Sequence, residues 1–154
     1  MVNLLQHLAL VKYNMKKFFF VITLSSFFIN HSLAQQNIQK PDFIKIPFAI
    51  DGCSGLYTYD SIPLKKQQYI FVTNLQELAF IKIAGKQIKL KETAHKSFPN
   101  KTDKTTYTGS GFTVILTTKT VKETGNETGI ETGTIEIIKG TRHFSIKIHG
   151  EGGC

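Results

Sequence analysis

Beyond residue 34, no segment of this 154-residue chain keeps an apolar period of 3.6 residues, so amphipathic helices are excluded from its organisation. No apolar run reaches the ~20 residues of a membrane-spanning helix; the longest, Phe18 to Ile29, falls well short. No cysteine stands at the cut site after that run, which argues against a lipid anchor there. No clustered basic stripe is present, so no nucleic-acid partner is expected.

What the chain does have begins with an export pattern. Met15-Lys16-Lys17 is a positive start, Phe18 to Ile29 is apolar, and Ser32 and Ala34 are small residues before Gln35. That order predicts a signal peptide over 1–34, translated from Met15 and cleaved after Ala34. A flexible leader over 35–41 and one domain over 42–154 follow. Taking away Lys12, Lys16 and Lys17 lowers the formal net charge from +8 to +5. The remaining lysines are spread between apolar residues, as on solvated sheet faces. The two cysteines, Cys53 and Cys154, both fall in the exported part. An oxidising compartment favours a disulfide between them, closing a loop of about a hundred residues worth about 4–5 kcal/mol in the chain-entropy model. The other reading is a reactive thiol at Cys53, set among Asp51, Gly52, Ser54 and Gly55.

From Phe43 onward the pattern is β. Phe43 to Ile50 reads as an edge strand interrupted by Pro47; Leu56 to Tyr59 and Tyr69 to Thr73 follow as strands. Leu78 to Ile83 and Lys86 to Lys91 flank Ala84-Gly85 and predict a hairpin that pairs Ile81 with Ile88 and Ala79 with Leu90 on one face, Phe80 with Lys89 and Lys82 with Gln87 on the other. Thr93 to Lys104 reads as a polar loop. Thr105 to Thr108 and Gly111 to Lys119 are two more strands. Lys122 to Thr132, with its repeated Glu-Thr-Gly, reads as a mobile hairpin extension. Thr134 to Lys139 and Arg142 to His149 form the last hairpin around a Gly140-Thr141 turn of type II′, pairing Ile137 with Phe144, Ile135 with Ile146, Glu136 with Ser145 and Thr134 with Lys147. The expected fold is all-β, a small antiparallel barrel or sandwich of about seven to nine short strands.

The chemistry-bearing residues do not assemble into a catalytic pattern. The G-x-S-x-G elbow is absent. His95 is assigned to a polar loop, and His143 and His149 to the outward side of the last strand. His143 and His149 are about 20 Å apart along one strand, too far to share a metal ion. No carboxylate lies in a setting that would raise its pKa, and no acid–base pair stands out. Tyr57, Tyr59 and Tyr69, with Phe80 beside Lys89, are either a binding face or packing partners.

The Ser32-Leu33-Ala34-Gln35 region, the Asp51-Gly52-Cys53-Ser54 start, the Ala79 to Ile83 strand with Gly85-Lys86 and the Gly150 to Cys154 ending resemble small secreted proteins of Bacteroidota, which implies a compartment and a fold group without an activity. The early and late cysteines also give a layout similar to the periplasmic C-type lysozyme inhibitors, small antiparallel barrels. In that family a tyrosine–glycine segment and a nearby lysine approach the lysozyme active site. The matching stretch here is Tyr107-Thr108-Gly109-Ser110-Gly111 and then Lys119. The chain lacks that family's tryptophan before the lysine and its glycine after it, and its positive charge opposes a basic target.

The expectation is a secreted or periplasmic non-enzyme without metal or cofactor: a binding or inhibitor module, with Tyr107, Ser110 and Lys119 as candidate contact residues and a lysozyme-type envelope enzyme as one target. The alternative is a structural or surface-interaction protein that holds anionic glycan or a protein partner.

Overall fold

The structure is a computed structural model that describes residues 38–154; the export segment lies outside the described residues. Among the described residues there are nine strands: β1 (Pro41–Asp42), β2 (Ser54–Tyr59), β3 (Phe71–Thr73), β4 (Leu78–Ile83), β5 (Lys86–Phe98), β6 (Thr102–Gly109), β7 (Phe112–Glu123), β8 (Thr128–Lys139) and β9 (Arg142–Gly153). From β2 to β9 each strand pairs with its successor, and β9 pairs back with β2. The result is a closed antiparallel barrel of eight strands, with β1 added against β4 beyond the end of β3. Closure pairs each of the eight strands on both sides over part of its length. Among the described residues no helix is long and apolar enough to cross a membrane.

Period-two alternation drives this closure. Both hairpins predicted from alternation pair in the expected register, with Ile81 opposite Ile88 and Ile137 opposite Phe144. Their turns supply the matching backbone: Ala84 and Gly85 both have positive φ, whereas only Gly140 does in the second. Inward residues fill one end of the barrel: Phe71, Ile81, Leu90, Val114, Ile135, Ile137 and Ile148 are all fully buried.

Three expectations give way. Phe43 to Ile50 is not a strand. It makes a single bridge, Ile44 to Tyr69, and turns after Pro47. Its apolar residues instead cover the outer face of β2–β4, where Leu56, Val72 and Phe80 form a row across three strands and pack with Ile44 and Ile50 in a second cluster. That cover buries Phe80 and Tyr69, and Tyr57 lies inside the barrel, so these aromatics are packing partners and not an exposed face. Thr93 to Lys104 is no loop either: β5 continues to Phe98 and β6 starts at Thr102, so only a three-residue turn separates them. Finally, Lys122 to Thr132 belongs mostly to β7 and β8, with the turn confined to 124–127. Threonine-rich alternation carries both regions as strands although they bury few apolar side chains.

Cys53 and Cys154 form a disulfide that ties the start of β2 to the end of β9. The cysteine is therefore no free thiol.

Candidate functional site

The strands are unequal, and the inequality makes an opening. β4 ends its pairing with β5 at Leu78 and Lys91, yet β5 continues to Phe98. β5 to β9 thus form a wall that rises past the 74–77 loop. Asn74 Oδ1 holds this loop by accepting from the backbone nitrogens of Gln76, Glu77 and Leu78 at 2.9–3.1 Å. Between wall and loop lies a cavity of about 390 Å³. Eight strands enclose an interior that side chains can fill or that can hold one small ligand; here one end is filled and the other is open.

The cavity is polar. On its floor, the Tyr57 hydroxyl donates to Glu131 Oε2 at 2.6 Å. Burial, followed by the Glu131 charge, pushes the Tyr57 phenol well above its ordinary range. Burial also raises the Glu131 carboxyl, against hydrogen bonds from Tyr57 and Thr118 that favour the ionised form; Asp103 adds a smaller upward push. Glycines make room for this pair. Any side chain at Gly55 or Gly150 would meet the Tyr57 ring, and one at Gly152 would stand 2.9 Å from the Glu131 carboxylate. Above it, Tyr107 lies 3.1 Å from Thr73 Oγ1. Thr73 already donates to the Leu78 carbonyl at 2.9 Å, so the proton in that contact is the tyrosine's.

On the wall, His95, Ser97 and Asp103 meet. His95 Nδ1 is 2.9 Å from Thr105 Oγ1 and Nε2 is 3.1 Å from Ser97 Oγ, while Ser97 donates to Asp103 Oδ1 at 2.5 Å. The order of bonds is unlike that of a nucleophile triad, in which histidine takes the serine proton and the acid orients histidine. Here serine gives its proton to the acid, and His95 Nε2 is the donor to serine.

Two bulges shape the wall. The β5–β6 register shifts between Glu92 and Ala94, so His95 and Ser97 face inward, opposite Thr105 and Asp103. The β7–β8 register shifts between Thr120 and Lys122, so Glu123 sits opposite Gly129 and lines the cavity.

The sequence-derived candidates do not converge. Tyr107 is inside the barrel and buried, within the cavity lining. Ser110, with φ of 50°, occupies the β6–β7 turn at the opposite end. Lys119 is exposed on the outer side of β7, about 23 Å along the strand from Phe112 at ~3.3 Å per residue. The histidines divide. His95 belongs to the cavity wall and not to a loop. His143 and His149 face outward, 3.4 Å from Glu136 and 3.8 Å from Asp60. The expectation that no carboxyl is raised fails at Glu131, which counting back by twos from Ile137 and Ile135 places on the inward face.

No family model matches the chain, and neither the curated proteins nor the solved structures contain a significant match.

Proposed function

We propose that the protein is a secreted binding module that holds a small polar molecule in the open end of its barrel. The observation that carries this is the cavity of about 390 Å³ at the end where the interior stops being apolar. Its volume lies in the ordinary range for small-molecule sites, and its polar groups converge from five strands and a loop. The disulfide supports an oxidising compartment. An inhibitor mode through Tyr107, Ser110 and Lys119 finds less support, because one is buried and the other two lie at opposite ends.

Equilibrium dialysis of the oxidised protein against a small-molecule extract of cell envelope, read by mass spectrometry, tests the reading. The wild type should retain a compound that Thr120→Phe, which places a ring in the cavity, does not. Equal retention by both, or none by either, would overturn it.

A second reading has its own observation. Lys96 and Lys104 stand directly opposite on the outer face of β5 and β6, a like-charge pair that costs stability unless an anion lies across it. That favours an anionic glycan on this face. Retention on a sulfated-glycan matrix should then weaken with salt and with Lys96→Glu; binding unchanged by either would remove it.

A further inference from the structure

Five of the chain's eleven acidic side chains, Glu92, Asp103, Glu123, Glu127 and Glu131, line this cavity. No lysine or arginine of the described residues lines it, although the chain carries nineteen. In a basic protein this is an inversion of charge, and the two bulges produce it. Unbroken alternation inward from Glu92 would bring Ala94 and Lys96 to the wall; the extra residue Thr93 brings His95 there instead, with Ser97 bonded to Asp103. Unbroken alternation from Thr120 would bring Lys122; the extra residue Val121 brings Glu123. Bulges at barrel rims re-aim side chains. Both of these remove an ammonium group from the wall, and the second puts a carboxylate in its place.

The carboxylates are spread around the wall and not gathered at a point: among the described residues no three His, Cys, Asp or Glu side chains lie close enough to hold a metal ion. At the rim, Lys101 Nζ already sits 2.6 Å from Glu123 Oε1, with both groups exposed, so an ammonium on a flexible chain can reach this wall. Deeper in, Glu131 has lost water without gaining a cation. A positive group there would favour its charged form and offset its desolvation.

We propose that the cavity selects a small organic cation, an amine or guanidinium on a short chain, with its charged head between Glu131 and Asp103. The inference rests on the small-ligand reading above and adds the ligand's charge. Three probes of equal chain length separate the two: putrescine, 1,4-butanediol and succinate, each titrated into labelled full-length protein while the amide resonances of Gly129, Gly152 and Gly153 are followed. Putrescine should shift them saturably and the other two should not. Glu131→Gln, which keeps an acceptor for Tyr57, should weaken putrescine about tenfold or more, as loss of a charge-assisted contact does. Glu92→Gln should weaken it less, and Lys89→Gln on the outer face should leave it unchanged. Equal shifts from the diol would overturn the cationic class while leaving the cavity as a binding site. No shift from any probe would also overturn it, and with a failed dialysis would overturn both readings.

Discussion

Toward the turns at 84–85, 110–111 and 140–141 the barrel interior is made of Ile81, Ile88, Val114, Ile137 and their neighbours. Toward the disulfide β2, β6, β7 and β8 carry Tyr57, Thr105, Asp103, Thr118 and Glu131 inward. The backbone pattern is shared, so the difference lies in the side chains and in two inserted residues. The apolar end excludes water and supplies the hydrophobic part of the stability. The polar end satisfies its buried groups in pairs, Tyr57 with Glu131 and Tyr107 with Thr73, and leaves space above them. Apolar packing and the polar cavity thereby occupy opposite ends of one barrel.

The largest expected effect comes from the clasp on the polar end. Replacing both cysteines by serine should cost about 4 kcal/mol in denaturant unfolding, because the linked residues are 101 apart in sequence. At the apolar end, Ile137→Ala should cost about 3–4 kcal/mol, since its cavity lies inside a filled core. Thr120→Ala at the open end should cost less than about 1 kcal/mol, because space already exists there; equal losses at the two ends would erase the distinction between them. Tyr107→Phe removes one hydroxyl bond to Thr73 and should cost about 1 kcal/mol.

The smallest effect has a definite sign. Glu131 is raised in the folded state, so the fold holds its proton more tightly than the unfolded chain does. Its contribution to stability is present below the ordinary carboxylate range and is lost as pH rises through its folded pKa. Glu131→Gln should therefore unfold at slightly higher temperature than wild type at pH 7, with the gap closing on acidification. A gap that widens at low pH would contradict the burial of this carboxyl.

Much of the fold was legible because alternation sets register. The hairpins at Leu78–Lys91 and Thr134–His149 need only apolar residues two apart and a turn of the right backbone. What alternation cannot show is an extra residue. Thr93 to Lys104 reads as a loop because it is polar and holds Pro99 and Asn100, and nothing in Glu92-Thr93-Ala94-His95 marks Thr93 as the bulge that turns His95 inward. Glu131 was within reach of period-two counting, but the glycines around it read as flexibility. On β9, Gly150 and Gly152 leave the space that admits Tyr57 and Glu131. The segment from Phe43 to Ile50 misled in the opposite sense, since its apolar residues cover the sheet's outer face and do not extend the sheet.

The most direct test of a desolvated carboxylate awaiting a cation is the titration of the Glu131 carboxyl carbon by nuclear magnetic resonance, without and with saturating putrescine. The account predicts a pKa above the ordinary glutamate value in the free protein, drawn downward by the amine. A pKa that is ordinary at the outset, or that putrescine leaves in place, would contradict it.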